Sequence, residues 1–447
     1  MTQYPWPVAP LSKLADVRLG RQRSPKNHFG PQMRPYLRAA NIGWNGLILE
    51  GIKEMNFTDD EMATYALRTG DLLLGEASGS PGEVGKPALW NDEFPACAFQ
   101  NTLLRVRSET MEPQFLLHFF RFMALSGRFV EQSRGVGIHH LGRERLAKWP
   151  TPQPPLNEQR RIVAILEEHL SDLDDATLAL SNASRRLSTL REMRVLGHLT
   201  GSGRPKQEAV GLVPAGTHDG DLARLPLGWN WARLGDVAEV AGGVTKDSKK
   251  QQDPSLPEVP YLRVANVQRG HLDLREVTAI RVPVAKAQSL FLQPGDVLLN
   301  EGGDRDKLAR GWVWEGQIDG CIHQNHVFRA RLTEARLDPF FLSMTTNSLG
   351  AKWAERNGKQ SVNLASISLS MIRKMPVIVP APGEAKAAVE AIRAEFDSFD
   401  RLQAEVDRSV ARSATLRRAL LAAAFSGRLT GHSSDTDVIS EFVEEPA

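Results

Sequence analysis

Cysteine is nearly absent from this 447-residue chain. Cys97 and Cys321 stand outside any CxxC pair or Cys/His cluster of metal-ligand spacing, which excludes a disulfide framework and a structural zinc site. Long apolar runs are missing too. No stretch reaches about 18 uninterrupted apolar residues, and Met1-Thr2-Gln3-Tyr4-Pro5-Trp6-Pro7 lacks a charged region followed by an apolar one, so the chain reads as a soluble, reduced, cytoplasmic protein with no membrane contact. An excess of either charge is also lacking: 55 Lys and Arg face 53 Asp and Glu, a net +2 that neither demands nor forbids nucleic acid. The distribution is more informative. His432 to Ala447 holds Asp435, Asp437, Glu441, Glu444 and Glu445 and no Lys or Arg; without those five charges +2 becomes +7 on residues 1–431. The chain therefore has a modestly basic body and a short acidic end that reads as disordered.

The sequence is written twice. Tyr36-Leu37-Arg38-Ala39-Ala40-Asn41-Ile42 returns 225 positions later as Tyr261-Leu262-Arg263-Val264-Ala265-Asn266-Val267, and Gly70-Asp71-Leu72-Leu73-Leu74 returns at the same offset as Gly295-Asp296-Val297-Leu298-Leu299. Cys97-Ala98-Phe99-Gln100-Asn101 returns as Cys321-Ile322-His323-Gln324-Asn325, and Glu112-Pro113-Gln114-Phe115 as Asp338-Pro339-Phe340-Phe341. Trp149-Pro150 matches Met375-Pro376, and Gly197-His198-Leu199-Thr200-Gly201 matches Gly427-Arg428-Leu429-Thr430-Gly431. A period of about half the chain means tandem duplication of a whole domain pair rather than a solenoid.

Each copy changes texture once. Its first part is rich in Gly and Pro with short strand-like runs, such as Leu103 to Arg107 and the alternating Val327-Phe328-Arg329-Ala330-Arg331-Leu332, apolar on one face and basic on the other. A helix is expected from Pro113 to Val130 on the stripe Phe115, Phe119, Phe122 and Leu125. Beyond Pro154-Pro155, with Asn157 as N-cap, Ile162, Leu166, His169, Leu173, Ala176, Leu180, Ala183, Leu187 and Leu190 follow 4-3 spacing, a coiled-coil seam with His169 packed in it. Val389, Ile392, Phe396, Phe399, Val406 and Val410 repeat the spacing, interrupted at Gln403. Two such seams pair most simply with each other, antiparallel, and roughly 40 helical residues at 1.5 Å each span about 60 Å.

Catalytic signatures are missing. Gly82-Glu83-Val84-Gly85-Lys86-Pro87 has the wrong spacing for a phosphate loop and reads as a turn. Asp338-Pro339-Phe340-Phe341 resembles an adenine-methyltransferase motif, but its third residue is wrong and its recurrence in the other copy marks a helix start. Glu384-Ala385-Lys386 has no Pro-Asp partner for a nuclease set and begins the second long helix. No HExxH, nucleophile elbow or Walker sequence occurs, so the chain reads as a binder, not an enzyme.

What it binds is suggested by cations in the heads. Arg18, Arg21, Arg23 and Lys26 beside His28 in copy one face Lys246, Lys249 and Lys250 at a comparable place in copy two. Arg134, His139 and His140 add to the first head, and Arg305, Lys307, Arg310, Lys359, Gln360 and Asn363 to the second. Such residues suit phosphate neutralisation, and Arg, Asn and Gln can reach base edges. The recurring Gln100-Asn101 and Gln324-Asn325 read instead as architecture, because a protein reading two different sequences should vary at its base contacts.

Two mixed heads, each followed by a long helix, resemble the specificity subunit of type I restriction-modification systems. The resemblance rests on Leu225-Pro226-Leu227-Gly228-Trp229 with Trp231 and Leu234-Gly235-Asp236-Val237, on Tyr261 to Val267, on Gly295 to Leu299, and on Pro154-Pro155-Leu156-Asn157-Glu158-Gln159 entering the helix. Head one departs from it, opening on Trp6-Pro7 and Leu14-Ala15-Asp16-Val17, as does the second helix entry, Gly383-Glu384-Ala385. The resemblance implies an α+β chain with two mixed α/β target recognition domains in tandem repeat, separated by two long helices forming an antiparallel coiled coil. The expected order is target recognition domain 1 at 1–155, a central helical spacer at 156–200, a linker at 201–224, target recognition domain 2 at 225–382, a C-terminal helical spacer at 383–428 and an acidic tail at 429–447. Each domain would read one half of a bipartite double-stranded DNA target. The helices would set the spacing and dock two modification (methyltransferase) subunits, joined by restriction (ATP-dependent translocase/nuclease) subunits. The chain itself would hold no cofactor or metal, with S-adenosylmethionine, ATP and Mg on those partners. The alternative is a coiled-coil scaffold or DNA-binding adaptor acting outside a restriction complex.

Overall fold

The structure, a computed structural model, describes residues 4–131, 139–207, 212–360 and 364–431. The acidic end at 432–447, expected to be disordered, lies outside the described residues. The chain divides into two units, Met1–Ala183 with Glu405–Ala447 and Ser184–Ala404. Each contains one head and part of both long helices. No helix among the described residues is long and apolar enough to cross a membrane.

The recurring segments are the strands that pair inside each head. In the first unit, Asp16–Leu19, Leu103–Arg107, Leu72–Gly75 and Pro87–Leu89 form an antiparallel sheet in that order. Beside it Met33–Leu37 pairs in parallel with Ala98–Phe99 and antiparallel with Lys53–Asn56. The second unit repeats this, with Ala238–Gly242, Val327–Leu332, Val297–Asn300 and Gly311–Val313 in one sheet. Glu258–Leu262 lies between Ile322–His323, in parallel, and Thr278–Arg281. The Tyr36 and Cys97 repeats of the first copy, and the Tyr261 and Cys321 repeats of the second, are therefore hydrogen-bonded to each other in each head. Leu72, Leu73 and Leu74 are all buried, as are Val297, Leu298 and Leu299, so an uninterrupted apolar run marks a strand covered on both faces.

Buried ion pairs account for the polar members of the repeats. The Asp71 carboxylate is fully buried and accepts from Arg107 through both oxygens at 2.6 Å and from the Arg68 amide at 2.8 Å. Asp296 does the same with Arg331 at 2.7 Å and the Gln293 amide. Asn41 and Asn266 are buried and close the turn that starts at Arg38 and Arg263. The basic face of Val327–Leu332 is thus internal: Arg329 is buried against Glu239 at 2.6 Å, as Arg105 is against Asp16. Burial pushes both thiols, Cys97 and Cys321, up to about 12, which leaves them unreactive.

Helix starts follow the sequence closely, and helix ends less so. Asp338 caps Pro339–Thr345, accepting from the amides of Phe340 and Phe341. The helix expected from Pro113 to Val130 is two, Pro113–Leu125 and Arg128–Glu131. Ser126 Oγ donates back to the Phe122 carbonyl at 2.7 Å and Gly127 turns at φ +71°, which ends the first segment. Asn157, expected as a cap, lies within the first turn of the long helix Leu156–Leu199, whose partner is Glu384–Phe425.

Within each unit these two helices run antiparallel as a coiled coil. In the first, Asp174 pairs with Arg417, while Glu158 and Arg161 meet Thr430. In the second, Ser184 Oγ donates to Gln403 Oε1 at 3.1 Å, and Arg191 and Arg194 pair with Asp400 and Glu395. Gln403, the break in the apolar pattern, is therefore the polar partner of a residue on the facing helix. The first seam holds as expected at Ile162, Leu166, His169, Leu173, Leu180, Ala183 and Leu187, all buried or half-buried; it departs at Ala176 and at Leu190, which is 49% exposed, where Thr177 and Arg191 take the shielded places. A straight α-helix drifts about 20° per heptad from a 3.5-residue repeat, so positions at the margin of the stripe can trade places with their neighbours.

The helix ends close the heads crosswise. Phe425, from the second long helix, packs its ring 5.5 Å from Phe115 and 5.4 Å from Phe119 in the first head's core. Val195 and Leu199, from the first long helix, join Trp229 and Phe341 in the core of the second. The Gly-x-Leu-Thr-Gly repeat is where each helix ends against the head of the other copy.

Candidate nucleic-acid interface

Two sheet edges define where the cation-bearing segments leave each head. In the first, Leu19 pairs with Leu104 and Gly75 with Leu103, so the loop 20–32 and the segment Glu76-Ala77-Ser78 emerge from one end of the four-stranded sheet. In the second, Gly242 pairs with Phe328 and Asn300 with Val327, and the loop 243–257 and Glu301-Gly302-Gly303 emerge from the corresponding end. The topology thus gathers separate stretches of sequence.

The roots of these loops are built from repeated residues. The Arg21 amide donates to the Phe99 carbonyl at 3.1 Å and the Asn101 amide to the Arg21 carbonyl at 3.0 Å. Val244 repeats both bonds with His323 and Asn325, at 3.0 and 3.1 Å. A glycine precedes each because the strands nearly touch: a Cβ on Gly20 would lie 2.2 Å from the Gln100 carbonyl oxygen, and one on Gly243 1.9 Å from that of His323. Gln100-Asn101 and Gln324-Asn325 therefore anchor the loops through their backbones. His323 is buried, its Nδ1 is 2.6 Å from the Val327 carbonyl, and burial pushes its imidazole down to about 4, so it sits in the core as a neutral group.

The candidate cations divide into internal and outward-facing ones. Arg21 is turned inward, 2.5 Å from Glu61 and 2.7 Å from the Asn56 carbonyl, with its guanidinium 4.8 Å from the Phe57 ring centroid. Arg23 and Lys26 are exposed, and Arg23 Nε donates to His28 Nε2 at 3.0 Å. His139 and His140 form a strand on Ala77–Ser78, which places them at the sheet end shared with the loop 20–32; His140 is exposed and 3.1 Å from Glu76. Arg134 lies outside the described residues.

In the second head, Lys246 and Lys249 are exposed on the loop 243–257. Lys359–Gln360, both exposed, pair with Ala365–Ser366, which pair in turn with Gly302–Gly303, so this hairpin joins the same end. Arg305 spends its guanidinium on the Glu355 carbonyl at 2.8 and 3.1 Å, and Lys307 pairs with Asp304. Asn363 lies outside the described residues. One further pair was not singled out from the sequence: Glu76 and Glu301, also 225 positions apart, each meet a histidine, His140 at 3.1 Å and His326 at 2.5 Å. A partly shielded carboxylate at such an end can accept from a cytosine amino group.

The linker is tied to the second head by Asp219. Its carboxylate accepts from both Arg233 nitrogens at 2.9 and 2.7 Å, from Trp353 Nε1 at 2.9 Å and from the Thr217 hydroxyl at 2.9 Å. The Arg233 guanidinium first, then the other donors, hold it down at about 2. At the start of the second long helix Arg204 grips both Glu384 oxygens at 2.6 Å and Trp229 donates to the same carboxylate.

Comparison with known proteins gives this arrangement a context. Residues 5–183 match a family model described as the type I restriction modification DNA specificity domain. The chain is 24% identical to the type I restriction enzyme EcoKI specificity subunit of Escherichia coli K12, over 97% of this chain and 92% of that protein. It is 22% identical to the StySPI specificity subunit of Salmonella potsdam, with the same coverage. Among solved structures, one described for complex assembly and conformational transition of the type I R-M system superposes with a TM-score of 0.68 at 18% identity, covering 96% of this chain and all of that one. The HsdS subunit from Thermoanaerobacter tengcongensis gives 0.50 at 18% identity, covering 96% and 98%. At that identity the structural likeness speaks for the fold.

Proposed function

We propose that the chain is a specificity subunit of a type I restriction-modification system and that it selects the DNA address of such a complex without catalysing a reaction itself. Each head reads one half of a bipartite double-stranded target. The observation that carries this reading is the division of labour in the heads: residues that recur in both copies brace the loops, and residues that differ are the exposed cations and amides the loops present. A reader of two unlike half-sites needs a common scaffold and unlike contacts.

Arg23 and Lys26 in the first head and Lys246, Lys249 and Lys359 in the second neutralise phosphates, with His139, His140 and Gln360 beside them. Arg134 and Asn363 complete the two sets. Arg21, Arg305 and Lys307 act chiefly by holding the segments that carry the others. The helices, 44 and 42 residues long, set the half-site separation and dock two modification subunits. Restriction subunits join the same complex; S-adenosylmethionine, ATP and Mg belong to these partners, and the complex works in the cytoplasm.

Co-expression with a type I modification (methyltransferase) subunit from the same source tests the reading. A soluble complex and adenine methylation at one bipartite motif are expected; a methylome without such a motif would sink it, and partner binding without salt-dependent DNA affinity would point to a scaffold.

A further inference from the structure

Phe29 is 86% exposed, and no other large apolar side chain among the described residues is as open to water. Burial of phenylalanine is among the larger single gains of folding, yet this ring stands at the tip of a loop that is otherwise tightly held. At one root Arg21 is stapled to Phe99 and Asn101. At the other, the Gln32 amide donates to Asn56 Oδ1 at 2.8 Å and the Phe57 amide to the Gln32 carbonyl at 3.0 Å. Gly30, next to the ring, packs so closely that a Cβ there would fall 2.2 Å from Asn56 Oδ1. Between the roots, Asn27 and His28 close short turns on Ser24 and Pro25. The ring is therefore presented from a braced platform.

The loop's own charges are of one sign. Residues 20–32 contain Arg21, Arg23, Lys26 and His28 and no Asp or Glu. Arg21 is spent on Glu61 and Gln32 donates to Asp59 at the loop's roots, which leaves Arg23 and Lys26 as the exposed charges the loop carries beside the ring. An apolar ring beside outward cations suits a polyanion with flat apolar faces between its charges, which is stacked nucleic acid. The corresponding loop of the second head, 243–257, has Lys246, Lys249 and Lys250 but no aromatic residue, and its Leu256 is half-buried.

We propose that Phe29 is a wedge that enters a base step of the half-site read by the first head, with Arg23 and Lys26 on the flanking phosphates. This rests on the reading of the chain as a double-stranded DNA reader and adds a specificity device to one head only. Pyrimidine–purine steps unstack most easily, so the first half-site contains one at the wedge position and the second has no such requirement.

The test uses the full chain assembled with its methyltransferase, as wild type, Phe29→Ala and Phe29→Leu. Duplexes carry the motif read from the methylome, with 2-aminopurine placed in turn at positions other than the methylated adenine. Wild type is expected to raise fluorescence at one step of the first half-site. Phe29→Ala should abolish that signal and weaken binding roughly tenfold, the loss typical of one base–aromatic contact, with thermal midpoint and second half-site signals unchanged; Phe29→Leu should keep part of both. Equal affinity and unchanged fluorescence for Phe29→Ala would overturn the wedge while leaving the DNA-reading assignment intact. So would failure of Phe29→Ala to assemble with the methyltransferase, which would make the ring a protein contact, and so would a loss equal on scrambled DNA with no position-specific signal. Wild type that does not prefer the motif duplex over a scrambled one would overturn both.

Discussion

The two heads share a skeleton almost residue for residue and differ where the skeleton ends. Asp71 with Arg107 and Asp296 with Arg331, Asn41 and Asn266, Gly20 and Gly243 occupy corresponding places with corresponding bonds. The loops they support have little in common. One carries Arg23, Lys26 and an exposed Phe29; the other carries three lysines and no ring. Duplication thus preserved what holds a loop and released what the loop says. Gly20 and Gly243 show why the boundary is so sharp. Their neighbours leave no space for a side chain, whereas a residue a few positions on faces water and is constrained only by what it must contact.

The comparison can be broken most severely at the buried carboxylates. Asp71→Ala and Asp296→Ala each strand an arginine, and each should cost about 3–5 kcal/mol, with hydrogen exchange rising in Leu72–Gly75 for the first and Val297–Asn300 for the second. If one head tolerates its change, the two are not equivalent. Phe425→Ala comes next. Removing a ring from the first head's core should cost about 3–4 kcal/mol and loosen that head although the mutation lies some 300 residues from its strands.

Acid should separate the heads by a smaller margin. Asp219 belongs to the second unit and is held at about 2 by Arg233, below its ordinary value of 3.8. A carboxyl lowered on folding stabilises above its ordinary value and loses that contribution as pH falls from about 4 to about 2, roughly 2 kcal/mol in all. Asp219→Asn should therefore lower the second unit's stability at neutral pH and flatten its profile across that window, measured by denaturation at a series of pH values. The mildest change sharpens the contrast between loops. Replacing Lys246 and Lys249 by Ala should lower the slope of log affinity against log salt by about 2 and weaken motif and scrambled DNA alike. A change confined to the motif would mean these lysines read bases.

Legibility followed the repeat. Because Gln100-Asn101 returns as Gln324-Asn325 at a nearly constant offset, an architectural role could be read before any coordinate, whereas the buried pairing of Asp71 with Arg107 could not, and the strands fell where the apolar runs predicted. The coiled coil was legible along most of its first seam and missed at Ala176 and Leu190, where Thr177 and Arg191 are the shielded residues, since heptad counting assumes a supercoil that a straighter helix does not keep. The cations were the least legible. Arg21 and Lys26 look alike in a list of basic residues, yet Arg21 turns onto Glu61 while Lys26 faces solvent. Glu61 is 40 positions away, and no local pattern announces the meeting.

By itself the amino-acid sequence determined the duplication, the strands and long helices of each half and the resemblance to type I specificity subunits. These rest on periodicity, composition and self-similarity, properties of the chain read in order. Tertiary structure alone decided that each long helix closes the head of the opposite copy, that Arg21 turns inward while Arg23 and Lys26 face solvent, and that Phe29 stands in water. Those are matters of which distant residues come within a few ångströms, and a linear chain holds that information only in its folded sum.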